Sequence, residues 1–346
     1  MASSHYSPPK PPPHEAGNFT KLWWAKQNPP EDPKHLSFKD KAVLVTGANT
    51  GLGYQAALKY AAQGASPLLL ACRTQEKSEQ AKASILRATR ASGEIIPLAV
   101  DFSTFAATAQ FAKKVQTLVP RLHVVLLNAG VGMPDFRKGP EEHEICLQVN
   151  VLSTTLLALL LLPQLSAAAA ATADDSSAPH LTFTSSRAFL DLVEDDVPPG
   201  QTLVERMNDA SKWVDRRQYD LVKLAAFCCA LGLAERLKSG PDPHDRKVVV
   251  NAAEPGLCKT DLPRYYPLAG RIFMAVFYFL FARTAEQGAR TLVSAAALGP
   301  ESNGRLWAND VLVPPTDFML SDRFRELQRE TWDEVLSILR QYCGDI

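Results

Sequence analysis

Tyr219 and Lys223 stand four residues apart in Tyr219-Asp220-Leu221-Val222-Lys223, at the start of an apolar-striped segment that runs on to Leu237. On a helix this spacing puts a phenol and an ammonium on one face, a turn apart. A cation beside a phenol stabilises phenolate, lowers the pKa toward working pH and makes the group a usable general acid or base. Alone, the pair also fits a surface helix with its lysine in water, so its meaning depends on what accompanies it. Far upstream, Lys41-Ala42-Val43-Leu44-Val45-Thr46-Gly47-Ala48-Asn49-Thr50-Gly51-Leu52-Gly53 is a short apolar strand that ends in glycines. Such a turn lets a phosphate approach backbone N–H groups at the positive end of the next helix with no side chain in the way. Its spacing is G-x-x-x-G-x-G and not G-x-G-x-x-G, and it predicts a dinucleotide as ligand.

These groups need a scaffold, and the apolar pattern supplies one. Strands are predicted at Ala42–Thr46, Pro67–Ala71, Ile95–Val100, His123–Leu127, His180–Thr184, Lys247–Asn251 and Arg305–Trp307, with helices near 54–63, 75–90, 105–118, 141–165, 217–238 and 284–297. Alternation of this kind indicates an α/β fold, a doubly wound parallel sheet of Rossmann type covered on both faces. One catalytic domain over 41–346 accounts for it, preceded by a Pro-rich tail at 1–20, too polar to bury a core, and a lead-in at 21–40. Leu22, Trp23 and Trp24 make Lys21–Pro33 a short helix packed on the domain, or else a membrane-surface anchor. Val149–Leu165 reads as a buried helix or a subunit contact, Ser166–Pro179 as a solvated loop tip, and Asp322–Arg340 as an amphipathic helix packed on the domain.

The remaining polar groups fall in order at strand ends. Asn128-Ala129-Gly130 ends the fourth strand, Asn150 lies in the next helix, Ser185-Ser186 ends the fifth strand, and Tyr219 and Lys223 open the helix after it. Open α/β sheets bind ligands at these carboxyl ends. With the glycine loop, Pro255-Gly256 and Thr260, the chain resembles the short-chain dehydrogenase/reductase family over about residues 38–310. That resemblance implies a proton donor or acceptor at Tyr219, a lysine at 223 that lowers its pKa and bonds the nicotinamide ribose, a substrate-holding hydroxyl at Ser186, and at Asn150 an amide ordering a water that relays the proton. It also implies cofactor contacts at Gly47, Asn49, Thr50, Gly51, Leu52, Gly53, Asn128, Ala129, Gly130, Pro255, Gly256 and Thr260. Hydride would pass between nicotinamide and a carbonyl carbon while Tyr219 protonates the alkoxide.

Arg73 follows the second strand where many members have an acid for the ribose, and a guanidinium there can grip a 2′-phosphate, so NADP(H) is the expected cofactor. Asp101 resembles the family's adenine-contacting acid, with helix capping as the other reading. Ser186 and Tyr219 are 33 positions apart, more than in compact members, which predicts a flap at 188–217 beside the site. Residues 262–281, rich in aromatics, read either as a core-packing helix or as an aromatic lid over a large apolar substrate, with a shallow membrane contact third.

Basic and acidic residues balance at 37 each, which argues against nucleic acid or an acidic membrane surface as partner. Six cysteines without C-x-x-C spacing, and no leader before them, predict a reducing, cytoplasmic setting. The scattered histidines predict no metal. The expected partner is a hydrophobic small molecule, with no membrane span. The family often dimerises through the helices at 141–165 and 217–238, which the apolar surface of Leu156–Leu162 would suit, while monomers with extra C-terminal structure also occur. The phrase Gly256-Leu257-Cys258-Lys259-Thr260-Asp261-Leu262 looks most like fungal members that tailor polyketide-type metabolites, and retinol-dehydrogenase-like members share several features. Other readings of the same scaffold are an NADP-binding sensor or interaction protein, and non-redox dehydration or cyclisation in the same pocket.

Overall fold

A computed structural model describes residues 17–172, 178–260 and 265–343, together with Pro9. Its centre is an eight-stranded sheet in the order β3-β2-β1-β4-β5-β6-β7-β8. The strands are β1 (Val43–Thr46), β2 (Leu68–Cys72), β3 (Ile95–Ala99), β4 (Val124–Leu127), β5 (His180–Thr184), β6 (Val249–Glu254), β7 (Leu306–Ala308) and β8 (Val311–Leu312). All pairings are parallel except β7 with β8, which is antiparallel. β1, β2, β4 and β6 are buried along their whole length, as strands covered on both faces must be. The chain order reverses beside β1, between β2 and β4, and this switch point opens the crevice where such sheets take ligands.

The crossovers are α2 (Gly51–Ala62), α3 (Gln75–Thr89), α4 (Phe105–Leu118), α5 (Ile145–Ala171), α7 (Asp215–Ser239) and α9 (Ala285–Ala295), after a lead-in α1 (Asn18–Gln27). Within the inserted stretch lies a short α6 (Leu203–Asn208), α8 (Leu268–Phe281) precedes α9, and α10 (Asp322–Cys343) closes the described chain. Two apolar layers result, one on each face of the sheet.

Three expectations change. First, α5 does not stop near Pro163 but continues to Ala171, so residues 166–171 are helix and not loop tip. The alanine run favours helix, and Gln116 Nε2 donates to the Leu160 carbonyl at 2.7 Å as the helix passes the proline. Residues 173–177 of the expected tip lie outside the described residues. α5 is long and apolar enough to cross a membrane, yet 89% of its most apolar window is buried in the protein, the mark of a core helix.

Second, Leu156, Leu157, Leu159, Leu161 and Leu162 are buried within this chain and offer no apolar surface to a second copy. α10 packs on α7 and also touches α5 and α4, burying Phe324, Leu327, Trp332, Val335 and Leu339. Gly232 of α7 is the seat for Trp332: a Cβ there would lie 2.4 Å from the indole. The faces expected to pair two copies thus carry the chain's own C-terminal helix.

Third, the stretch 188–217, expected as a flap, is anchored by an inner row of apolar side chains. Phe189, Leu192, Val197, Leu203, Val204 and Met207 are all buried in the core. Arg323 of α10 donates from Nε to the Val197 carbonyl at 3.0 Å, tying that stretch to the C-terminal helix.

Candidate active site

The cradle is built by a latch between β1 and β4. Thr46 Oγ1 accepts from the backbone N–H groups of Asn128 and Ala129 at 2.8 and 2.9 Å, and Asn128 Nδ2 donates to the Thr46 carbonyl at 2.9 Å. Gly47 (φ 68°) and Gly51 (φ 56°) adopt left-handed backbone that β-carbon-bearing residues resist. Gly53 is required for space: a Cβ there would sit 2.3 Å from the Gly47 carbonyl oxygen. Thr50 caps α2 by position but makes no side-chain cap bond, which leaves first-turn N–H groups for an incoming anion. Asn49 and Leu52 are half-buried beside them. Donor-rich, and without a β-carbon at 47, 51 and 53, the loop fits the pyrophosphate of a dinucleotide.

Arg73, just after β2, is exposed and its Nη1 lies 3.4 Å from the Tyr265 hydroxyl. Asp101 is exposed and accepts the Ser103 N–H at 3.0 Å in a turn before α4; the N-cap of α4 is Thr104, so Asp101 does not cap it.

The proton-handling groups gather at the ends of β5 and β6. Ser186 follows β5 and accepts the Ala188 N–H at 3.2 Å, which fixes its hydroxyl. That hydroxyl shares a hydrogen bond with the Tyr219 phenol. The neighbouring Ser185 is buried, and its Oγ has no partner among the described residues. Lys223 Nζ lies 5.9 Å from the centre of the Tyr219 ring and donates to the Thr184 carbonyl at 3.0 Å. Burial pushes the Tyr219 phenol up to about 12, against the lowering effect of the Ser186 bond and with help from the Glu254 carboxylate. Burial also brings Lys223 down to about 8. The fall in the Tyr219 pKa expected from Lys223 is not found: desolvation dominates the shift, and the lowering comes from Ser186.

Asn150 sits in a π-helical turn, Gln148–Ser153, inside α5. Its side chain is clamped to the backbone of Val131: Oδ1 accepts the Val131 N–H and Nδ2 donates to the Val131 carbonyl, both at 2.9 Å. The wide turn brings Asn150 to the loop after β4, where a Cβ on Gly130 would lie 3.2 Å from its Oδ1.

Thr260 and Tyr278 join the two halves. Thr260 Cγ2 lies 3.8 Å from where a Cβ of Gly51 would be, its hydroxyl bonds the Tyr278 phenol, and Tyr278 is close enough to Tyr219 to raise its pKa. Thr260 and Tyr278 thus lie between the glycine loop and the Tyr219 phenol. Gly256 (φ 79°) makes the turn after β6 that carries the chain toward Thr260.

Three residues here escaped the sequence reading. Glu254, the last residue of β6, is buried, which raises its carboxyl pKa, and its Oε1 accepts the Gly256 N–H at 2.9 Å. An acid ending a buried strand directly before Pro-Gly was the available signal. Arg283 is 2% exposed, and its Nη2 reaches the Asn28 carbonyl at 2.9 Å while Nη1 reaches that of Pro255 at 3.4 Å, so it pins the lead-in to the turn beside the site. Thr46, the latch, was quoted only as part of a motif. Among the described residues no group of His, Cys, Asp and Glu could hold a metal.

A family model described as short chain dehydrogenase matches residues 41–173. A short-chain dehydrogenase/reductase, phmF, of Phaeosphaeria nodorum is 37% identical over 324 residues, 93% of each chain. Another, ffsI, of Aspergillus flavipes is 36% identical over 330 residues, 95% of this chain and 94% of that protein. Among solved structures, the carbonyl reductase Sniffer of D. melanogaster superposes with a TM-score of 0.56 at 21% identity, over 80% of this chain and 99% of that one. L-sorbose reductase from Gluconobacter frateurii, complexed with NADPH and L-sorbose, does so with 0.58 at 17% identity, over 79% and 95%. At those identities the structures speak for the fold alone.

Proposed function

Because the chain belongs to the short-chain dehydrogenase/reductase family of oxidoreductases, we propose that it is an NADPH-dependent reductase acting on the carbonyl of a sizeable hydrophobic small molecule, of the polyketide type. The observation that carries this reading is the placement of Thr260 and Tyr278 between the glycine cradle and the Ser186–Tyr219 pair.

The nicotinamide supplies hydride to the carbonyl carbon when bound. Gly47, Asn49, Thr50, Gly51, Leu52, Gly53, Asn128, Ala129, Gly130, Pro255, Gly256 and Thr260 hold and orient the dinucleotide, with Asp101 toward its adenine and Lys223 on its ribose. Ser186, fixed by Ala188, donates to the developing alkoxide from a preset position. Tyr219 delivers the proton. A phenol near 12 is fully protonated at working pH, which suits reduction and disfavours the reverse oxidation. Asn150 holds the loop after β4 in register and orders the water that refills the proton. On α8 the inward row, Met274 and Tyr278, roofs the substrate.

The pH dependence follows from Lys223. Its ammonium is lost above about 8, whereas Tyr219 keeps its proton far beyond that. For carbonyl reduction, kcat/KM for the ketone is expected to be level through neutral pH and to fall about tenfold per unit above about pH 8, reporting ionisation in the enzyme that meets the ketone. A profile level past pH 9, measured at saturating NADPH, counts against Lys223 as the group that must be charged.

Arg73 decides between the two nicotinamide cofactors. Charge-assisted bonds to a 2′-phosphate contribute about 1.5–3 kcal/mol, so Arg73→Asp should weaken NADPH binding by about 10- to 100-fold while NADH binding holds or improves. Fluorescence titration of the protein with each cofactor reads this without turnover, and unchanged NADPH affinity refutes the role. The activity itself is tested by following NADPH absorbance with a panel of apolar ketones. Consumption supports reduction, whereas binding without consumption points to non-redox chemistry or a sensor on the same scaffold.

A further inference from the structure

α8 and α1 carry an apolar surface that nothing among the described residues covers. Of fourteen large apolar side chains left strongly exposed among the described residues, eight lie on these two helices: Phe19 and Trp23 on α1, and Leu268, Ile272, Phe273, Val276, Phe279 and Leu280 on α8. At 3.6 residues per turn the six on α8 fall within an arc of about 140°, which leaves Met274, Tyr278 and Phe281 on the inward side. Not one residue of α8 is fully buried, unlike every other helix of its length in the protein. The two helices are braced together: Phe19 stacks obliquely on Phe281 with ring centres 5.4 Å apart, and Lys26 donates to the Leu280 carbonyl at 3.1 Å, capping the end of α8.

From this pair we infer a docking surface for an anionic lipid bilayer, with α1 and α8 lying in the plane of the headgroups. At 14 residues α8 is about 21 Å long, too short to cross a hydrocarbon core but suited to lie at its boundary. The exposed arc is Phe-, Ile- and Leu-rich, and the adjoining α1 exposes Trp23, an amphipathic ring of the kind that settles in an interface. Charge agrees with the sign of the partner: residues 17–28 and 265–283 hold Lys21, Lys26 and Arg271, besides the buried Arg283, and no Asp or Glu. Arg271 is exposed on the flank of the arc, placed to meet lipid phosphate while the apolar face enters. A net-neutral protein thereby gains a locally basic, apolar face.

The surface deepens the reductase reading and rests on it for its purpose. α8 meets lipid with one face and Tyr278, bonded to Thr260 at the active site, with the other. An apolar substrate dissolved in the bilayer would then enter beneath α8 without crossing water.

The test is flotation of the full chain with vesicles of phosphatidylcholine and phosphatidylserine, in parallel with phosphatidylcholine alone. Binding to the anionic vesicles is expected, weakened by salt, and lost by at least about tenfold in Ile272→Glu and again in Phe279→Glu, since each removes a buried apolar group from the interface. Both variants should keep native circular dichroism and native NADPH consumption on a short water-soluble ketone, because neither side chain faces the site. No flotation with either vesicle overturns the inference. So does a native dimer that these substitutions convert to monomers, which would make the face a contact between two copies. Loss of NADPH consumption in the unmodified chain would instead strike the reductase reading and leave the flotation result standing.

Discussion

Tyr219→Phe is expected to bind NADPH with unchanged Kd and to lose carbonyl reduction by about 10²–10⁴-fold in kcat. The substitution removes one oxygen from a ring that the fold otherwise holds by its carbon face. Ser186 keeps its bond from the Ala188 N–H, and Lys223 keeps its bond to the Thr184 carbonyl, so neighbouring groups stay in place. What disappears is the proton donor and its contact with the Ser186 hydroxyl. Ser186→Ala should cost less, about 10²–10³-fold, because a fixed donor to the alkoxide is lost while the proton source remains. Single-turnover absorbance under saturating ketone, beside a fluorescence titration of NADPH, separates chemistry from binding. Turnover within about tenfold of the native chain in Tyr219→Phe means that the proton comes from elsewhere, and Glu254, with its raised carboxyl pKa, is the neighbouring group to test next.

The order of chemical groups along the chain was legible because each depends on local residue types. A strand must be apolar, a phosphate turn needs glycine, and a phenol four residues before an ammonium can only share a helical face. Hence β1 and β5 fell where the pattern put them. β6 did not: it runs Val249–Glu254 and not Lys247–Asn251, because Asn251 and Glu254 broke the apolar run from which the strand was read. In the fold Asn251 is buried and satisfied, donating to the Ala295 carbonyl at 2.9 Å and accepting from Thr182 Oγ1 at 2.9 Å. A polar side chain paired across the sheet is invisible to a pattern that knows only its own segment.

What the sequence could not show was contact between distant segments. The Thr46–Asn128 latch spans 82 positions and Arg283 reaches back 255 to Asn28. For the same reason Leu156–Leu162 read as a surface for a second copy, when the cover comes from the same chain. The aromatic stretch at 262–281 shows the limit from the other side. Its composition allowed core, lid or membrane contact, and exposure alone separates them: Phe279 is 79% exposed, so the core reading fails for the outer face. Residues 262–264, where that stretch begins, lie outside the described residues.

Gly53→Ala is expected to damage the cradle more than Gly51→Ala, although both replace a glycine of the same loop. At Gly51 the backbone is left-handed, but the space is open, with the nearest atom Thr260 Cγ2 at 3.8 Å. Alanine there costs about 1–2 kcal/mol of local strain. At Gly53 the conformation is ordinary helix and the obstacle is matter: the new methyl would lie 2.3 Å from the Gly47 carbonyl oxygen and 2.4 Å from Asn128 Nδ2. Neither can swing aside. The first is backbone leaving β1, and the second is held by its 2.9 Å bond to the Thr46 carbonyl. α2 must therefore move away from the loop, which costs about 1–3 kcal/mol and carries with it the N–H groups that would meet the pyrophosphate. NADPH affinity should fall by tenfold or more in Gly53→Ala, with a Tm lower by several degrees. Gly51→Ala should lose stability with a smaller change in affinity. Differential scanning fluorimetry with and without NADPH measures both. If Gly53→Ala binds NADPH as the native chain does, the loop is not the pyrophosphate site, whatever its glycines suggest.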